Sequence, residues 1–163
     1  MKVIQLIGPP CSGKTHLIKE FILTNYNRNI ISYDIAETRF RLGSYWQNWN
    51  GLFATMINDG LREDHLVIVE SVCGEHHLDS LNINLTTDLQ LFRHRHLLRE
   101  IELTDKLLNY YSQLETQALP KHLTIHQGSM YSFVDYGTFG QQQYSSSAKA
   151  LQGILDYYYS YNW

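Results

Sequence analysis

The segment Gly8-Pro9-Pro10-Cys11-Ser12-Gly13-Lys14-Thr15 has the spacing G-x-x-x-x-G-K-[ST], and it constrains the fold more than any other part of the chain. Glycines in such a loop let the backbone curl until successive N–H groups point into one concavity, an anion nest that fits a phosphate. The flanks agree with this reading. Val3-Ile4-Gln5-Leu6-Ile7 is a short, largely β-branched apolar run and reads as a buried strand. Leu17, Ile18, Phe21 and Ile22 then recur at helical spacing, with Lys19 and Glu20 on the outer face. A helix starting here adds its unpaired N–H groups and its dipole to the nest. In such a loop Lys14 reaches the β and γ phosphates of a nucleotide as a point charge, and the Thr15 hydroxyl is a ligand for Mg2+.

Beyond the loop, strand-like and helix-like patterns alternate. Residues 29–33 predict a second strand stopping at Asp34, and residues 65–69 a third, without polar alternation, ending at Glu70. Residues 81–85 alternate with period two, and Leu123-Thr124-Ile125 is a candidate fifth strand. Between them, a polar and aromatic stretch from Glu37 to Gly60 reads as helical through Leu52–Ile57. Thr87 or Asp88 is placed to cap a long helix with Leu97, Leu98, Ile101, Leu107, Leu108 and Leu114 on its apolar side, ended by Pro120. Residues 128–147, rich in Gly, Ser, Gln and Tyr, predict irregular structure. Ser146 or Ser147 then caps a terminal helix docked by the rings of Tyr157-Tyr158-Tyr159-Ser160-Tyr161-Asn162-Trp163. The expectation is one α/β domain over residues 1–163, in three α/β/α layers around a five-stranded, mainly parallel sheet, as in P-loop NTPases.

Charge narrows the partners. Lys and Arg number 13 against 16 Asp and Glu, a net charge of −3, and only two Lys and no Arg follow Lys106. That balance argues against gripping extended duplex nucleic acid, which favours a basic stripe. Apolar runs fall far short of the ~20 residues needed to span a bilayer, so no membrane association is expected. The N-terminus lacks the apolar core of a secretory signal, and two cysteines are too few for a disulfide framework. A cytoplasmic protein is expected. Cys73, His76 and His77, and the pair His94 and His96, lack a completed zinc spacing and read as structural or surface residues.

A strand, this loop, a helix and a second strand ending in Asp34 resemble the P-loop kinases of nucleosides, nucleotides and polynucleotide ends, nearest the polynucleotide kinase and zeta-toxin-like group. The likeness covers about residues 1–127. It implies an ATP-dependent phosphotransferase in which the loop residues Gly8, Pro9, Pro10, Cys11, Ser12, Gly13, Lys14 and Thr15 hold Mg·ATP. The acidic residue ending the second strand acts in those kinases as the base, a role that falls to Asp34, though Asp34 also suits a helix cap. A following arginine holds the acceptor, and Arg39 or Arg41 occupies that place. Glu70 stands where a Walker B acid orients Mg2+, and Thr15 supplies the other protein ligand. Arg93, Arg95 and Arg99 lie where lid arginines close over the phosphates, Arg93 being best spaced from the cap for nucleotide contact; ion pairs with Glu100, Glu102 and Asp105 are the alternative. Trp46 and Trp49 either stack on an acceptor base or pack in the core. The implied acceptor is a small nucleoside or nucleotide, or a nucleic-acid terminus. A nucleotide-binding module that senses or scaffolds is the competing reading, favoured by Glu rather than Asp at position 70.

Overall fold

A computed structural model of the chain describes residues 2–35, 37, 55, 65–72, 80–99, 102, 104–106, 108–109, 123–136, 140–160 and 163. Its elements, in order, are β1 (Val3–Ile7), α1 (Lys14–Thr24), β2 (Ile30–Asp34), β3 (Leu66–Ser71), β4 (Leu81–Thr87), α2 (Leu89–Leu98), β5 (Leu123–Gln127), β6 (Ser132–Asp135), β7 (Gln141–Tyr144) and α3 (Ser147–Tyr159). The strands form one sheet in the order β2-β3-β1-β4-β5-β6-β7. The first five pair in parallel, and β6 and β7 add an antiparallel edge. Strand β1 therefore lies inside the sheet, between β3 and β4, and its carboxyl end delivers the glycine loop to the crevice where open α/β sheets bind ligands.

Alternation sorts the strand residues onto two faces. Ile4, Leu6, Ile68, Ile83, Leu85, Ile125 and Val134 share one face and join a single buried cluster with Leu17, Ile18 and Phe21 of α1 and Leu151, Ile154 and Leu155 of α3. Each such fully buried side chain contributes roughly 1.5–3 kcal/mol relative to exposure. On the other face Val3, Val67 and Val69 are buried as well. Both faces are covered, the condition for a parallel sheet in water.

Three expectations are corrected. The sheet has seven strands rather than five, because residues 132–135 and 141–144 extend it where irregular structure was expected. Ser132–Asp135 alternates buried and exposed positions against β5, so pairing and burial override a loop-like composition. The outermost strand, Gln141-Gln142-Gln143-Tyr144, is polar and exposed, as an edge should be.

The second correction concerns α2. Leu97 and Leu98 are 76% and 70% exposed, and the helix instead buries Phe92 and His96. Phe92 packs on Cys11 of the loop, so contact with the loop decides which way the helix faces. Helix α2 ends at Leu98, and Ile101, Leu107 and Leu114 lie outside the described residues.

In α3 the expected cap is present, with Ser146 Oγ accepting from Lys149 N at 3.2 Å. The third correction is that α3 docks chiefly through Ala148, Ala150, Leu151, Ile154 and Leu155, with Tyr159 half-buried against the same core. Trp163 is buried and stacks on Phe21 at 5.4 Å, whereas Tyr157 and Tyr158 remain 52% and 44% exposed.

Candidate active site

The loop is shaped by close backbone approach. Gly8 N donates to Ser71 O at 3.1 Å, and a Cβ at Gly8 would lie 2.6 Å from Ser12 Oγ and 2.9 Å from the Leu85 carbonyl oxygen. Gly13, the N-cap of α1, has φ 89°, a conformation that favours glycine. Cys11 adopts φ 66° without that freedom. The cost for such a residue is roughly 1–2 kcal/mol, offset by its contacts with neighbours. Its side chain packs on Phe92, and its carbonyl accepts from Arg95 Nη1 at 3.3 Å. Pro9 O accepts from Ser12 N at 3.2 Å and closes the turn, and Pro9 and Pro10 limit the φ angles the turn can sample. No side chain caps α1 and no acid occupies its first turn, so the positive end of the helix faces the loop uncompensated by its own residues.

Lys14 is buried and folded back along the loop. Its Nζ donates to Gly8 O at 2.7 Å, Pro9 O at 2.9 Å and Ser12 Oγ at 3.3 Å. Burial pulls the ammonium down from its usual range to about 8, against the opposing attraction of the Glu70 and Asp34 carboxylates. Thr15 Oγ1 donates to Glu70 Oε1 at 2.5 Å. Burial pushes Glu70 above the ordinary carboxylate range, the Thr15 hydrogen bond opposes this, and the Asp34 charge adds to it. Asp34 and Glu70 are register partners at the carboxyl ends of β2 and β3. Asp34 Oδ1 accepts from Glu37 N at 3.0 Å, so its carboxylate does cap the turn that follows the strand.

The arginines separate by helix geometry. Arg95 reaches the loop: besides the Cys11 carbonyl, its Nη2 donates to Gln127 Oε1 at 3.3 Å. Arg99, one turn on at the C-cap, is close enough for its charge to lower the Lys14 ammonium further. Arg93 is exposed and lies roughly 200° around the helix from Arg95, off the face that meets the loop. Arg39, Arg41, Trp46, Trp49, Cys73, His76 and His77 lie outside the described residues.

Two residues to which the sequence assigned no part in the loop, Gln127 and the helix-cap candidate Thr87, hold it from behind. Gln127 Nε2 donates to Ser12 O at 2.5 Å, and Thr87 Oγ1 donates to the same carbonyl at 3.4 Å. Both end strands of the parallel sheet, and a polar residue at the carboxyl end of an apolar strand was the available signal. One residue earlier on the same strands, His126 bonds Thr86 Oγ1 through Nδ1 and Asp88 Oδ1 through Nε2, each at 2.8 Å. Asp88 is thus the N-cap residue of α2 by position, but its side chain makes no bond to its own helix.

At the level of sequence, no family model and no curated protein match the chain. Solved structures do match its fold. A shikimate kinase from Acinetobacter baumannii in complex with shikimate superposes with a TM-score of 0.50 at 15% identity, covering 99% of this chain and 95% of the other. The shikimate kinase from Bacteroides thetaiotaomicron gives 0.51 at 18% identity, with 94% and 98% covered. An uncharacterized protein from Eubacterium ventriosum gives 0.51 at 14% identity, with 98% and 99% covered. The chain shares the α/β fold of these solved kinases. Identity this low carries the architecture alone, and the chemistry rests on the chain's own residues. No helix among the described residues is long and apolar enough to cross a membrane.

Proposed function

We propose that the chain is an ATP-dependent phosphotransferase that moves the γ-phosphate to a hydroxyl of a small acceptor, a nucleoside or nucleotide by the sequence resemblance. One observation carries the reading. Lys14, Thr15, Glu70 and Asp34 converge at the carboxyl ends of β1, β2 and β3, beside an uncapped helix start. In this scheme the amides from Gly8 to Thr15 cradle the phosphates, and Lys14 exchanges its loop carbonyls for β and γ phosphate oxygens. Asp34 takes the proton of the acceptor hydroxyl as its oxygen bonds the γ phosphorus and ADP departs. Arg95 and Arg99 offset charge developing in transfer, and Arg39 or Arg41 grips the acceptor; Arg93, on the outer face of α2, takes no part.

The Thr15 hydroxyl and the Glu70 carboxylate, two hard oxygen donors 2.5 Å apart, fit Mg2+. When bound there it neutralises charge on the β and γ phosphates. The low cysteine count supports a cytoplasmic setting.

The test is transfer from γ-labelled ATP to a panel of nucleosides, nucleotides, 5′-hydroxyl oligonucleotides and shikimate, the last included because of the structural neighbours. Labelled product from a small acceptor, absent with Lys14→Met, is the expected outcome; product from oligonucleotides alone would overturn the small-acceptor assignment. A second reading, a nucleotide-sensing module, draws on the capping bond of Asp34 to Glu37 N, which gives that carboxylate a structural task. ATP binding with no transfer to any acceptor would favour the module.

A further inference from the structure

We propose that the cleft between β6, β7 and the last turn of α3 binds a small organic cation bearing an alkylated ammonium group. The cleft lies at the opposite end of the sheet from the glycine loop. Ser132 of β6 pairs with Gln127 at the carboxyl end of β5, whereas Asp135 pairs with Thr124 near its start, so Tyr136 falls at the amino ends of the parallel strands. The cavity measures about 640 Å3, within the range that holds small ligands.

Its walls are aromatic. Tyr136, Tyr144 and Tyr157 line it, with the Tyr136 and Tyr157 rings 5.4 Å apart and tilted by 56°. The Tyr136 and Tyr144 hydroxyls share a hydrogen bond of 2.9 Å, which joins a ring just past β6 to one at the end of β7. Burial first, then that bond, holds the Tyr136 hydroxyl well above the ordinary tyrosine range, so it stays neutral. Rings held in this way offer the electron-rich faces that attract cations.

Among the described residues that line the cleft Asp156 carries the only charge; the Arg28 guanidinium lies over the Trp163 ring, 4.0 Å from its centroid, and is not one of the lining residues. Among the described residues the groups donating to the Asp156 carboxylate are neutral: Trp163 Nε1 at 2.8 Å and Gln152 Nε2 at 3.4 Å. Ser160, the C-cap of α3, also lines the cleft, and no basic residue occupies the last turn. Carbonyls at a helix C-terminus carry the negative end of its dipole and ordinarily attract Lys or Arg. Here an acid stands in that turn instead. Gly153 weakens the helix interior, yet a Cβ there would lie 2.6 Å from Tyr144 Cζ, so the glycine admits the ring that forms one wall.

The experiment uses the full chain with choline and its neutral isostere 3,3-dimethylbutan-1-ol, followed by ligand-observed saturation-transfer NMR. Choline should bind about tenfold more tightly than the uncharged analogue. Asp156→Asn, which keeps an acceptor for Trp163 Nε1, should weaken choline about fivefold. Tyr157→Leu, at a half-exposed ring, should do the same with unchanged circular dichroism. Lys14→Met should leave choline binding unaltered, which separates this site from the nucleotide reading. Equal binding of both ligands, no binding of choline, or indifference to both cleft variants would overturn the proposal.

Discussion

Thr15 and Glu70 lie 55 positions apart in sequence, yet the hydroxyl of one donates to Oε1 of the other at 2.5 Å. The bond joins the first turn of α1 to the end of β3 and brings together the oxygens suited to Mg2+. Because burial raises Glu70, the native state holds its proton more tightly than the unfolded chain does. Stability attributable to this group is therefore greatest at low pH and declines as pH rises through the raised value. Glu70→Gln keeps an acceptor for Thr15 and removes the buried charge. The variant should melt a few degrees higher than the parent at neutral pH, with the difference closing in acid, by calorimetry. Transfer should fall about ten- to hundredfold, because the metal is held less well.

Lys14 titrates in the opposite sense. Its ammonium is lowered to about 8, so the unfolded chain binds its proton more tightly, and stability gains as pH rises from about 8 towards the ordinary lysine value of 10.5. Nucleotide phosphates demand the charged form. ATP affinity should therefore fall above pH of about 8, and binding in that region should take up a proton. Titration calorimetry in buffers of different ionisation heat measures the uptake directly. Lys14→Met should abolish the uptake and weaken ATP binding about tenfold or more.

Asp34 is asked to cap a turn and, in the proposed reaction, to accept a proton. Asn retains a side-chain oxygen for Glu37 N but is not a base. Asp34→Asn should hold the melting temperature and keep ATP affinity within a few fold while transfer falls about hundredfold or more. Unchanged transfer would reject the base assignment, and equal loss of binding and transfer would point to a disturbed loop.

Gln127 braces the loop through a donor that faces the Ser12 carbonyl at 2.5 Å. Gln127→Glu replaces that donor with a second acceptor in a buried position. Denaturant unfolding should register a loss of about 1–3 kcal/mol, and ATP affinity should drop with it. Gln127→Leu, which removes the polar group entirely, should be milder in stability. If the two variants behave alike, the contact is packing rather than hydrogen bonding.

The parts of this architecture visible in the sequence are those with local signals. The loop spacing and the apolar runs of β1 and β3 place the nest at the end of a buried strand, and β2, β4, α1 and the Ser146 cap follow from short-range patterns. What stayed hidden depends on register. Gln127 has no periodic signature, and its role follows only once β5 lies beside β4 with Gln127 opposite Thr87. The exposed leucines of α2 reflect competition: the Phe92–Cys11 contact turns the helix away from the face that leucine counting suggests. The glutamine-rich β7 was invisible because an edge strand owes its state to its neighbour more than to its own residues.

The supports of the glycine loop come from far along the chain. Bonds from Thr87, Arg95 and Gln127 to loop carbonyls span 75, 84 and 115 residues. A motif readable within a single octapeptide is thus a late product of folding, since closing such large separations is slow and entropically costly. Triphosphate affinity becomes a reporter of completed assembly rather than of a local segment. By mass action, a saturating nucleotide would then steady distant strands as much as the loop it touches.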